Sequence, residues 1–169
     1  MDTKAFIDEA LGFTMTGLQQ MMEGMTREDC LWHPAPESNH IGFLLWHMGR
    51  VEDNWINRFC RKELEVWTKD LWYERFGMEA RGGIGFGFDT EAVNAVPIPE
   101  PADLMAYIQA VRDCTLSYLK GLSLDDLGIK PRPDVRDMTI GQVFRQVLVH
   151  NNQHLAQIDY IKGLRQAGG

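Results

Sequence analysis

The sequence predicts an all-α fold: a four-helix bundle with a long irregular connection between the second and third helices. Three observations predict it. Apolar residues recur at spacings of three and four in four separate segments, the period of a helix that turns one face to a core. Prolines fall between those segments or at their starts: Pro34 and Pro36, then Pro101, then Pro131 and Pro133. No segment shows the strict alternation of a half-buried strand.

The first helix is expected from about Lys4 to Met25, with Ile7, Leu11, Met15, Leu18, Met22 and Met25 on one stripe. Thr26 to Glu37 is a connector, because Pro34 and Pro36 cannot sit inside a helix without disrupting it. Trp32 is placed there to cover one end of the core. The second helix is expected to start at Ser38 or Asn39, both good caps, and to run to about Lys62. Leu44, His47, Val51 and Trp55 share its inner stripe. Gly49 lowers helix propensity there by ~1 kcal/mol against Ala, which the close approach of a neighbouring helix would explain.

Glu63 to Glu100 has no sustained period, and short helices are expected only near Val66–Phe76 and Thr90–Val96. A connection of this length is unusual in a bundle and often functional, so it reads as a crossover or flap over one end. The third helix follows Pro101, a residue suited to a first helical turn. Leu104, Ile108, Val111, Thr115, Tyr118 and Leu122 face inward, and Gly121 to Ser123 marks the end. Leu124 to Asp137 connects to a fourth helix, capped by Thr139 and running to about Arg165. One domain over residues 1–169 is expected.

Composition narrows the function. The net charge of −7 opposes binding to phosphate backbones or anionic membrane surfaces. No run approaches the ~18 apolar residues of a membrane span, and Met1-Asp2-Thr3-Lys4 lacks the opening of a signal peptide. The chain is therefore expected to be cytoplasmic, without nucleic-acid or membrane partners and with a small-molecule substrate; homodimerisation is left open. Cys30, Cys60 and Cys114 are odd in number and far apart, which fits reduced, packed thiols.

His150 and His154 stand four apart, so their imidazoles share one face of the fourth helix. The expected inward stripe of that helix is Ile140, Val143, Val147, His150, His154, Ile158 and Ile161. Both histidines thus occupy core positions, as His47 does on the second helix. Buried imidazoles are costly unless their nitrogens find partners. One metal ion would satisfy all three together, whereas a single core histidine is ordinarily satisfied by a carbonyl or water. The run Gly82 to Gly87 lacks the G-K-[ST] ending of a phosphate loop and follows no strand; a flap is the better reading. Trp67, Trp72, Phe86 and Phe88 are available to close a pocket, or to pack on the bundle end or a second subunit. Glu52, Asp53, Asn151 and Asp159 lie near enough in sequence to orient the histidines, but read individually as solvated residues or ion pairs. His40, seven residues before His47, reads as a helix-start residue or a further cavity residue.

The stretch Asn39 to Trp55, NHIGFLLWHMGRVEDNW, resembles the second helix of the DinB-like superfamily, which includes the YfiT-like metal-dependent hydrolases. Leu31 to Pro36 resembles the lead-in to that helix, and Val147 to Ile158, VLVHNNQHLAQI, resembles the last helix. The resemblance spans nearly the whole chain. It implies a four-helix bundle with a metal between the helices near one end, held by His47, His150 and His154. The family pattern often carries a further histidine beside the second of the pair; here Gln153 and Leu155 flank His154.

Three imidazoles leave a coordination position for water or substrate. Imidazole suits several divalent metals, with zinc or nickel expected. Within the resembled families, some members transfer a low-molecular-weight thiol onto an electrophile. Thiol S-transfer with a thiol cosubstrate is therefore the leading expectation, followed by hydrolysis. A non-catalytic metal- or ligand-binding stress-response bundle is the alternative.

Overall fold

The computed structural model describes residues 1–168, and these are all-helical. Helix α1 spans Thr3–Met22, and Asp2 caps it by accepting from the Ala5 amide at 2.8 Å. Helix α2 is the single turn Arg27–Leu31, opened by a Thr26/Asp29 capping box. Helix α3 spans Ile41–Asp53 and continues as a π-helical segment, Asn54–Arg61, which stops at Lys62 in the left-handed region (φ 60°). Short helices α4 (Val66–Lys69), α5 (Trp72–Arg75) and α6 (Thr90–Asn94) punctuate the long connection. Helix α7 spans Pro101–Gly121 with its proline in the first turn, and a 3₁₀ turn follows at Asp125–Gly128. Helix α8 spans Ile140–Ala167 and opens on a Thr139/Gln142 capping box.

The long elements α1, α3 with its π extension, α7 and α8 are the four helices the periodicity predicts. Two boundaries differ. Helix α1 ends at Met22, before the predicted Met25. The cap of α3 is His40, whose Nδ1 accepts from the Phe43 amide at 3.1 Å, and neither Ser38 nor Asn39 serves. His40 is only 2% exposed and edge-on to the ring of His33. Burial first, then the nearby His33, pushes its imidazole down to about 4, and the same Nδ1 lies 3.1 Å from the Cys30 carbonyl.

Every residue of α3 is buried. It is the central helix, packed on both α7 and α8. Gly49 permits this: a Cβ there would lie 2.7 Å from the Tyr107 ring of α7. The connection lies over α3 and α7, where Trp67, Trp72 and Phe76 gather in edge-on and tilted contacts around Tyr107. Asp53 ties it down by accepting from the Val66 and Trp67 amides at 2.9 and 2.8 Å and from the Tyr107 hydroxyl at 3.0 Å.

The apolar core is divided. One cluster holds Ile7, Leu11, Ile56, Leu119, Ile140, Val143 and Val147; the other holds Met15, Leu18, Leu44, Trp46, Met48, Val111, Leu155 and Ile158. At the register where each long helix passes from one cluster to the other stands a buried polar residue: Thr14 on α1, Glu52 on α3, Arg112 on α7 and Asn151 on α8. They form one network. Arg112 donates from Nε and Nη2 to the two Glu52 oxygens, both at 2.9 Å, and from Nη1 to the Leu11 carbonyl and the Thr14 hydroxyl. Asn151 Nδ2 donates to Glu52 Oε2 at 2.7 Å. Burial alone would raise the Glu52 carboxyl. The Arg112 charge and the hydrogen bonds from Arg112, Thr115 and Asn151 outweigh that and hold it below the ordinary range.

Candidate metal centre

The three predicted histidines meet at the edge of this polar layer. His47 comes from the middle of α3 and is 8% exposed; His150 and His154 come from consecutive turns of α8 and are half-buried. His150 Nε2 lies 3.1 Å from His47 Nε2 and 3.1 Å from His154 Nε2, and one nitrogen from each ring lies within 4.8 Å of the others. The predicted stripe of α8 is displaced by one residue here. The buried positions are Asn151 and Leu155, and the two histidines sit beside them, facing the neighbouring groove. This offset leaves the rings reachable from outside.

The opposite nitrogen of each ring faces an oxygen. His47 Nδ1 donates to the Ile84 carbonyl at 2.5 Å, and His154 Nδ1 lies 2.7 Å from Gln157 Oε1. His150 Nδ1 lies 3.5 Å from Asn151 Oδ1, a long contact whose orientation follows from the donation of Asn151 Nδ2 to Glu52. A carbonyl cannot donate, so the Ile84 contact places the neutral His47 proton on Nδ1 and leaves Nε2 a bare lone pair. Gln157 Oε1 favours the same tautomer at His154, and the longer Asn151 contact favours it at His150. In that tautomer set three lone pairs converge, and a single proton moved to His150 Nε2 has to serve both 3.1 Å contacts and does not satisfy all three rings at once. A cation among them does. Metal–nitrogen bonds of 2.0–2.1 Å in a tetrahedral set place the nitrogens about 3.3 Å apart, close to the two 3.1 Å spacings, with the third pair within 4.8 Å. The donor set fits one divalent ion.

The site keeps its imidazoles neutral, the state a metal ligand needs. Burial is the first cause for all three: it lowers His47 and His154, and with the neighbouring rings it brings His150 to about 4. Phe43 lies parallel to the His47 ring with centroids 5.7 Å apart.

The sequence reading of the surroundings is met in part. The glycine-rich stretch does run over the site. Gly85 is buried against His47, and a Cβ there would fall 2.8 Å from His47 Nδ1 and 2.9 Å from the Trp46 ring. Gly85 has φ 85°, a region that favours glycine. Phe88 packs on Phe43 and Trp46, whereas Phe86 stands 87% exposed. Trp67 and Trp72 belong to the core around Tyr107 and not to the site. Asn151 is the one orienting candidate that reaches a site histidine. Asp53 holds the connection instead, Asp159 is exposed, and His40 is a helix cap. The Ile84 carbonyl and Gln157 were not legible, although Gln157 lies one turn beyond His154 on the same face.

Among the described residues, no helix is long and apolar enough to cross a membrane. All three cysteines are free, with Cys30 and Cys60 buried.

No curated protein matches the sequence. Among solved structures, the crystal structure of a conserved protein from Enterococcus faecalis aligns with a TM-score of 0.85, covering 97% of each chain at 20% identity. That likeness speaks for the fold alone. The sequence matches the DinB superfamily over residues 10–158, a span that begins within α1, ends within α8 and holds the three histidines, and the chain belongs to that superfamily.

Proposed function

We propose that His47, His150 and His154 hold one divalent transition-metal ion, with zinc or nickel the best fit to an all-imidazole set, and that the protein is a metal-dependent enzyme. The observation that carries this reading is the convergence of three Nε2 atoms whose opposite nitrogens are occupied by oxygens. A divalent ion held there by three protein ligands would supply a Lewis-acid position for a water or a thiolate.

The reaction put first is thiol S-transfer, with hydrolysis second. The metal-ligating group among the described residues contains no carboxylate. The nearest buried one, Glu52, has both oxygens committed to Arg112 and Asn151, which leaves it no role as a general base. The nucleophile is then one that the metal itself keeps deprotonated, a thiolate or a hydroxide, and thiol S-transfer is the reading put first. The substrate is then a small electrophile and the cosubstrate a low-molecular-weight thiol. The part-exposed faces of His150 and His154 offer the approach.

The test is turnover of a low-molecular-weight thiol with a model electrophile, measured with and without a chelator. Turnover that disappears on chelation and returns with zinc or nickel supports the enzyme. A metal-loaded protein inert toward both thiol transfer and hydrolysis supports a non-catalytic binding bundle instead.

A further inference from the structure

We propose that the backbone segment Gly83-Ile84-Gly85 is a clamp on the metal centre and that Arg50 is the residue that positions it. The inference rests on His47 being a ligand. It adds that the state of the histidine site and the state of the long connection are coupled through a main-chain carbonyl.

Arg50 lies three residues after His47 on α3, so the two side chains neighbour each other on that helix. It is 2% exposed. Its Nε and Nη2 each lie 3.3 Å from the Gly83 carbonyl, and Nη2 also donates to Glu65 Oε2 at 3.2 Å. The guanidinium lies 4.7 Å from the Trp67 ring centroid. Glu65 is itself held by Asn54 Nδ2 at 3.0 Å. The Arg50 head is thus fixed by a carboxylate, an aromatic face and the segment's own carbonyl.

One residue further, the Ile84 carbonyl accepts from His47 Nδ1. Gly83 and Gly85 on either side have φ of 83° and 85°. No Cβ fits at Gly85 between His47, Trp46 and Phe43. The segment lies in a stretch of 77–89 without regular secondary structure, so these two anchors, Arg50 on Gly83 and His47 on Ile84, hold it where helical hydrogen bonds do not. Because a carbonyl only accepts, the seated segment selects the His47 tautomer whose Nε2 is free for a metal. Binding free energies are reciprocal: a seated clamp raises metal affinity, and a bound metal seats the clamp.

If Arg50 serves only to neutralise Glu65, zinc will not alter the segment. Hydrogen exchange of peptides covering 81–88, measured on the full chain with and without one equivalent of zinc, separates the two accounts. In the wild type, zinc is expected to slow exchange there several-fold more than in the 122–137 connector at the start of α8. Arg50→Lys keeps the charge but cannot place two donors on one carbonyl while holding a carboxylate. It is expected to lose the zinc-dependent protection and to bind zinc about ten-fold more weakly or worse, the usual cost of losing an orienting partner. Gly85→Ala, which displaces the segment directly, is expected to do the same. Wild type that binds zinc with no added protection at 81–88, or Arg50→Lys that folds and binds zinc like wild type, overturns the clamp and leaves the ligand assignment standing. Wild type that binds no zinc, or binds it equally well as His150→Ala, overturns the ligand assignment and the clamp with it. Should both variants fail to fold, the wild-type exchange comparison alone decides.

Discussion

Replacing Arg112 by methionine removes the cation at the centre of the polar layer while keeping much of its apolar stem. Glu52 then loses two hydrogen bonds of 2.9 Å and its ion-pair partner, and the Leu11 carbonyl and Thr14 hydroxyl lose a donor. The two side chains are 4% and 3% exposed, so little water can replace the guanidinium. Stranding one partner of such a pair costs about 3–5 kcal/mol, a large share of the roughly 5–15 kcal/mol that ordinarily separates folded from unfolded states. With a urea slope of about 2 kcal/mol/M, the unfolding midpoint should fall by about 1.5–2.5 M. The double variant Glu52→Leu/Arg112→Met removes both charges and should recover most of that loss, because the desolvation of the pair disappears with it. Urea unfolding of the two single variants and the double variant gives the coupling directly. Single variants that each cost less than about 1 kcal/mol, or a double variant whose losses simply add, would refute the reasoning.

Gly49→Ala should destabilise by about 1–3 kcal/mol because the new methyl meets the Tyr107 ring, although helix propensity alone predicts a gain; thermal melting gives the sign. Thr139→Ala removes the cap of α8 and should cost about 1 kcal/mol in the same assay. Metal-free protein should lose stability as pH falls through the window in which unfolded imidazoles are charged and the buried ones resist. For His150 that window runs from the ordinary 6.5 down to about 4. The folded value is depressed, so the unfolded state takes up more protons there. A His150→Gln variant should flatten this slope in urea titrations across that range.

The parts of the fold written in local chemistry were legible. Thr139 starts α8 and Pro101 starts α7. Gly49, an expense in helix propensity, marked the crossing of Tyr107. The His150/His154 spacing and the placement of His47 on an inner stripe were enough to bring three rings together. What escaped depends on long-range pairing. Glu52 and Asn151 each read as a solvated residue or an ion pair when taken alone, and Arg112 drew no reading. Only the observation that all three fall where the apolar clusters change over reveals a buried layer. The Ile84 carbonyl left no side-chain signal at all, since backbone groups are the same at every residue; the glycines flanking it were the trace, and they suggested a flap without naming its target. The one-residue displacement of the α8 stripe arises because Asn151 turns in toward Glu52 and carries the histidines to the rim.

The central claim is that the three imidazoles share one metal ion. Elemental analysis of wild type purified without a histidine tag, beside His150→Ala prepared in the same way, tests it most directly. The geometry predicts about one divalent metal per chain in the wild type and a large loss in the variant. Equal metal in the two proteins, or none in the wild type after exposure to zinc and nickel, would contradict it.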